Sequence, residues 1–180
     1  MDFYLQRLQD AIAAATEGLN AEALALHPEG KWCAAQIMEH LYLTYRGTIK
    51  GFERCLEAGQ PLARPITLRD RVRSFVVVRL RYLPAGRRAP KNTVPRGMLP
   101  EQVRAEIKAK IFAMDAIITR AEETFGPRTR LLDHLILGPL RAWEWRRFHW
   151  VHGSHHGKQI CSLRDRALAG SGPGSDDRSH

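Results

Sequence analysis

Apolar residues recur at intervals of three and four along separate stretches of this chain, and that spacing limits what it can fold into. Leu5, Leu8, Ile12, Ala15 and Leu19 make one stripe. Ala34, Ile37, Leu41, Tyr45, Thr48 and Phe52 make a second, within a stretch from about Trp32 to Leu56 that Gly59 ends. Val103, Ile107, Ile111, Met114, Ile118, Ala121 and Phe125 make a third, opened by Pro100 and closed by Gly126-Pro127. A fourth stretch follows Gly138-Pro139 and runs to about Ala169. Residues three and four apart share one face of a helix, so each stripe predicts an amphipathic helix with one buried side. No convincing sheet is visible. The expectation is an all-α four-helix bundle.

The connections refine that picture. The first two helices are joined by a short turn around "HPEGK". About forty residues, Gln60 to Leu99, separate the second helix from the third, far more than an ordinary loop needs. A link of that length traverses a bundle and lets the second and third helices run parallel. Within it, Leu68, Val72, Phe75, Val76, Leu80 and Leu83 fit a short amphipathic helix, although "FVVVRLRYL" has the β-branched content of a strand. The expected organisation is one bundle domain over residues 1–169, with 60–99 as a basic crossover. Residues 170–180, "GSGPGSDDRSH", are expected to be a disordered tail.

Charge separates the crossover from the rest. Between Arg64 and Arg96 lie ten basic residues and the single acid Asp70, which accounts for the whole net charge of +9. The segment is either a solvated basic face or a binding surface for an anionic partner. Cys33, Cys55 and Cys161 are odd in number and show no CxxC pairing, which points to a reducing compartment. The N-terminal "MDFYLQRLQDAIAAA" carries charge among its apolar residues and reads as helix rather than signal peptide. No apolar run is long enough for a membrane span. A cytoplasmic location is the expectation.

Four histidines fall within "HWVHGSHHGKQI", His149 to Ile160, out of eight in the chain. Such side chains are solvated, hydrogen-bonded in the interior, or ligands to a metal. His152 and His156 are four apart, one helical turn above the other, so both imidazoles can point at one cation. A third ligand must come from another helix. His40, in "QIMEHLYL", lies beside the stripe of Ile37 and Leu41 and is the best candidate. His149 shares the side of His152 and is an extra ligand or a supporting partner. His155 is rotated away. Gln159, three after His156, also lies on the ligand face. Polar residues at the edge of the core are the competing reading for all of these.

The stretches "GKWCAAQIMEHL", Gly30 to Leu41, and "GPLRAWEWRRFHWVHGSHHGKQI", Gly138 to Ile160, resemble the two signature regions of the DinB-like metalloprotein superfamily. That resemblance implies a four-helix bundle with a long crossover between its second and third helices. It also implies a divalent metal held by His40, His152 and His156, with zinc or nickel the leading metals. The family pattern HxxHHRGQ has arginine where this chain has Lys158. Characterised members of the superfamily include thiol-dependent S-transferases and a thiol-dependent isomerase. The resemblance therefore implies a low-molecular-weight thiol as cosubstrate, a small electrophile as partner, and often a homodimer.

Three neutral imidazoles leave a divalent ion its full charge and an open position, which is the pattern of a catalytic site. The function expected is a metal-dependent S-transferase in which Gln159 or His149 orients the nucleophile. A metal-dependent hydrolase needs the same three ligands and is the alternative enzyme. Tyr42, Tyr45, Trp143, Trp145 and Trp150 are candidates for an apolar pocket or simply for core. Cys33, seven residues before His40, is expected to be a buried free thiol. A non-enzymatic reading assigns residues 64–96 to nucleic acid or an anionic surface, with Arg69, Arg73 and Arg81 on one polar face of the short helix.

Overall fold

The computed structural model describes residues 1–83 and 88–170. Within them, the stripes of the first two long helices are buried throughout. Helix α1 spans Phe3–Thr16 and is capped by Asp2, whose carboxylate accepts from the Tyr4 amide at 2.8 Å. A short helix, α2 (Ala21–Ala25), follows with Asn20 as its cap. The turn expected around "HPEGK" therefore contains extra helix, because Asn20 supplies a good N-terminal cap. Helix α3 is Ala34–Glu57, and Cys33 at its start is buried. Helix α5 (Pro100–Phe125) opens on its proline and ends at Gly126, whose φ of 90° no β-carbon tolerates well. Helix α6 is Ala142–Gly170. The tail expected from Gly170 lies, from residue 171 onward, outside the described residues, as does Arg87 of the basic segment.

The four long helices pack in pairs, α1 on α6 and α3 on α5. Along α1, Leu8 lies against Gly153, Ala11 and Ala15 against Gly157, and the Ala14 carbonyl accepts from Arg164. These partners advance together, so α1 and α6 run the same way. Phe52 meets Trp145, Thr48 meets His149 and His40 meets His152; α3 therefore runs against α6. Asp2 donates its amide to Asp115, and Arg104 donates to the Leu19 carbonyl, so α5 runs against α1. Helices α3 and α5 are consequently parallel, and the long link between them has to cross the molecule. A charged cluster joins α5 to α6 at one end: Arg146, buried, donates to Glu122 at 2.6 Å and Thr119 at 2.9 Å beside Asp115. Removing one partner of such a cluster strands a buried charge and costs about 3–5 kcal/mol.

The structure corrects the sequence expectation in two places. Before α6 stands a hairpin, β1 (Arg130–His134) paired antiparallel with β2 (Gly138–Arg141). The fourth helix, expected directly after Gly138-Pro139, begins at Ala142, and Gly138–Arg141 is strand. The strands are too short for alternation to show: Leu131 is the one fully buried residue of β1, whereas Gly138, Pro139 and Leu140 are buried in succession in β2.

The second correction concerns the crossover. It contains helix α4 (Leu68–Ser74) continued by a π-helical turn over Phe75–Arg79, so the helical reading of this segment holds. Its expected buried face does not. Leu68, Val72, Phe75 and Leu80 are exposed, while Asp70, Ser74, Val77 and Val78 are buried. The cause is Asp70: its carboxylate accepts from Arg64 at 2.7 and 3.0 Å and from the Thr67 hydroxyl and amide at 2.7 and 2.9 Å. Satisfied in this way, it is buried over Gly138, where a β-carbon would come within 2.5 Å of it. Arg81 is not on the helix with Arg69 and Arg73. Its φ of 56° belongs to the reversal that ends the π turn, where Tyr82 N donates to Val76 O at 3.2 Å.

Two glycines of α6 face α1 with different clearance. A β-carbon at Gly153 would lie 1.9 Å from Leu8 Cδ1, whereas one at Gly157 would meet nothing closer than 3.6 Å. Helix propensity favours alanine at both by about 1 kcal/mol. Gly157→Ala is therefore expected to be neutral or stabilising by up to about 1 kcal/mol. Gly153→Ala should destabilise by about 1–3 kcal/mol through overpacking of a buried leucine. Urea unfolding of the two variants checks the opposite signs.

Candidate metal centre

The end of the crossover sets the position of His40 as much as α3 does. Its neighbour Glu39 is buried, and the Glu39 carboxylate accepts from the amides of Arg96 at 2.6 Å and of Gly97 and Met98 at 3.0 Å each. That anchor brings the crossover back onto α3. A 3-10 turn there, Lys91–Thr93, presents the Thr93 carbonyl to His40 Nδ1 at 2.9 Å. The Nδ1 proton is thereby committed to Thr93, and the Nε2 lone pair points inward. Trp32 packs on the other side of the ring, with centroids 5.4 Å apart.

His152 and His156 come from successive turns of α6. His156 Nδ1 lies 2.7 Å from Gln159 Oε1, and Gln159 Nε2 lies 3.3 Å from His155 Nε2. These two contacts fix the amide, so Gln159 accepts the His156 Nδ1 proton and leaves Nε2 free. His152 is held differently. Phe148 stacks on it with an interplanar angle of 11°, and its buried Nδ1 has no partner.

His152 Nε2 is 3.1 Å from His156 Nε2 and 3.4 Å from His40 Nε2, and the ligand atoms of the three residues all lie within 4.8 Å of one another. Nitrogens bonded to one tetrahedral zinc at 2.0–2.1 Å stand about 3.3 Å apart. Two of the three rings also donate their second nitrogen to a carbonyl, the usual arrangement around a metal-bound histidine. The residues present fit a divalent cation.

Burial also holds these rings in the form a metal requires. It lowers the pKa of His40 against an opposing hydrogen bond that His40 donates to the Thr93 carbonyl. Burial, then the nearby charges of His40 and His155, bring His156 down to about 4 against the bond it donates to Gln159 Oε1. His152 falls well below its ordinary value through burial and the neighbouring histidines. All three are neutral at pH 7. They sit in a cavity of about 1070 Å³ whose apolar walls include Trp32, Trp145 and Phe148.

The other sequence candidates take other places. His149 is fully buried and directs Nε2 to the Thr48 hydroxyl at 3.1 Å, stacked against Trp145. It is not among the three clustered rings. Gln159 touches His156 directly. Of the aromatic candidates only Trp145 lines the cavity; Tyr42 and Tyr45 are core, and Trp143 and Trp150 pair with arginines. Cys33 is a buried free thiol.

Three residues carry the site without any sequence signal that singled them out. Glu39 and Thr93 act through the path of the crossover, which no local pattern shows. His134, on the wall of the cavity, accepts the Ile136 and Leu137 amides on Nδ1 at 3.1 and 3.2 Å. Its proton is thus confined to Nε2.

The sequence profile of one family, described as "Protein of unknown function (DUF1569)", matches residues 1–162, a span that includes all three clustered histidines. No curated protein and no solved structure matches the chain.

Histidines outside the cluster of three also couple stability to pH. Burial lowers His134 to about 4 and, with the charge of His134, His149 to about 3. In the unfolded chain both take up a proton near pH 6.5. Stability is therefore full above about pH 6.5 and falls as pH drops toward those folded values, by about 1.4 kcal/mol per pH unit for each histidine. His40, His152 and His156 are lowered in the same direction, so urea unfolding between pH 8 and pH 4 should show at least the slope of two histidines, and His149→Gln should flatten it by one proton.

Proposed function

The chain belongs to the family described as Protein of unknown function (DUF1569), and from that premise we propose that it is a metal-dependent S-transferase of the DinB-like kind, built on a four-helix bundle. His40, His152 and His156 hold one divalent ion, zinc or nickel, and a low-molecular-weight thiol is the cosubstrate. The observation that carries this reading is the convergence of three neutral imidazole nitrogens in the lining of a cavity of about 1070 Å³. The resemblance of the two histidine-bearing stretches to that superfamily supports the choice of a thiol over water.

A divalent ion with three neutral ligands keeps its whole charge and supplies the Lewis acidity that lowers the pKa of a thiol. The chain supplies the rest. Thr93 and Gln159 orient two of the ligand rings, and Phe148 fixes the third. Trp32, Trp145 and Phe148 offer an apolar wall for the electrophile and keep water from it. His134, with its proton confined to Nε2, is the donor on that wall suited to a developing negative charge. The thiol would release its proton to solvent, and sulfur would then form its bond to the electrophilic carbon while the leaving group departs with the bonding electrons.

The first test is the metal content of protein purified without a histidine tag. Near-stoichiometric zinc or nickel is expected, and His156→Ala should abolish it; protein that stays metal-free after incubation with divalent ions refutes the reading. Assays pairing thiols with electrophiles then separate transfer from hydrolysis, since thiol is consumed only in the first.

Glu39 offers a second check that leaves all three ligands in place. Glu39→Gln replaces one of the two accepting oxygens with an NH2 donor, so the Arg96 amide or the Gly97 and Met98 amides lose their acceptor, which loosens Thr93 from His40. Loss of such a supporting contact typically costs 10–100-fold in metal affinity. A competitive titration with a chelating dye should show a loss of that size, with helicity retained by circular dichroism.

A further inference from the structure

Among the described residues the outward face of α4 has no structural partner. Leu68, Val72 and Phe75 recur at four and three and are followed by Leu80; the four side chains are between 55% and 77% exposed. At 100° per residue Leu68, Val72 and Phe75 lie opposite Asp70 and Ser74, which are buried. Arg69 and Arg73 flank the stripe on one side and Arg71 on the other, all exposed. The only acid of the segment, Asp70, is turned inward and bound by Arg64.

The same surface continues past the helix. Tyr82 is exposed, the Arg79 guanidinium lies 4.7 Å from the Trp143 ring centroid, and that of Arg81 lies 5.6 Å from the centroid of Trp150. Trp150 also contacts Tyr4, whose neighbour Phe3 is exposed with Arg7 over its ring. Among the described residues this is a run of exposed aliphatic groups with exposed Phe3, Phe75 and Tyr82 and half-buried Tyr4, Trp143 and Trp150, edged by arginines.

In water such a face is costly, since apolar groups stay hydrated while the arginines repel one another. At the boundary of an anionic bilayer both are satisfied: the stripe enters the acyl region, and the guanidinium groups reach the phosphates. From this complementarity we propose that α4 and the π turn dock the protein on the surface of an anionic lipid bilayer, lying in its plane. A second copy of the chain is a poor occupant, because a two-fold contact through this face sets arginine against arginine. Nucleic acid engages the arginines but offers nothing to Leu68, Val72 and Leu80. The inference is independent of the metal site.

Flotation of the full chain with vesicles tests it. The protein should float with phosphatidylcholine vesicles containing one-third phosphatidylserine at low salt, and should not float with phosphatidylcholine alone. Val72→Ser combined with Phe75→Ser leaves the charge unchanged and replaces only exposed side chains. It should weaken partitioning roughly tenfold or more. Arg69→Gln combined with Arg73→Gln should weaken it by roughly fivefold per arginine. Circular dichroism confirms that each variant folds. Failure of the wild type to float with the anionic vesicles overturns the proposal. So does flotation of the serine variant equal to wild type, which would mean attraction by charge alone. Tight binding to random-sequence RNA that ignores the serine substitutions, with no vesicle binding, would assign the face to nucleic acid instead.

Discussion

The buried carboxylate of Glu39 holds the rest of the site together. Three consecutive backbone amides, Arg96 to Met98, terminate on it. A carboxylate is costly to bury without donors, and amides at the end of a long connection are costly to bury without acceptors. Each removes the other's cost. The result is a fixed return point for a crossover of about forty residues whose own path is long and basic. Because Glu39 and His40 are adjacent, the same return delivers the Thr93 carbonyl to the His40 ring.

The electrostatics of the centre come from that enclosure. Histidines left in water near one another would each protonate below pH 6.5 and repel. Burial makes the charged form unfavourable for His40, His152 and His156 alike, so the cluster is stable as three neutral rings. Hydrogen bonds then decide which nitrogen of each ring faces inward. Thr93 and Gln159 choose Nε2 in two cases; in His152 the choice falls to packing against Phe148. The same desolvation leaves His134 and His149 neutral, but their ring nitrogens are directed to the hairpin amides and to Thr48. Five histidines thus share one environment, and hydrogen-bond geometry divides them into a converging three and a supporting two.

How much of this was legible in the sequence depends on the range of the interaction concerned. The stripes of α1, α3 and α5 are properties of periodicity within one helix and read directly. His152 and His156 read from a spacing of four, and His40 from its place beside a stripe. The α4 face did not read correctly, because its burial is decided by Arg64 and Thr67 neutralising Asp70, and periodicity counts an aspartate as polar whatever its partners. The hairpin was too short to alternate. Glu39 and Thr93 stand far apart in the chain, and nothing local to either marks the part they share.

The doublets His152-Gly153 and His156-Gly157 show why the rotation of α6 is not free. Adjacent residues on a helix are 100° apart, so the histidine seam and the glycine seam face different neighbours. The histidines turn to α3, while the glycines turn to α1. Leu8 occupies the space where a side chain at 153 would be, and Ala11 and Ala15 lie against Gly157. Close approach of α1 is possible only when the glycines face it, and burial of the α1 stripe then requires that approach. Rotation of α6 by one residue in either direction would drive a histidine or a serine into Leu8. The glycines therefore fix the direction of the imidazoles from the side of the helix that never touches the site. Steric exclusion on one seam positions the chemistry on the next.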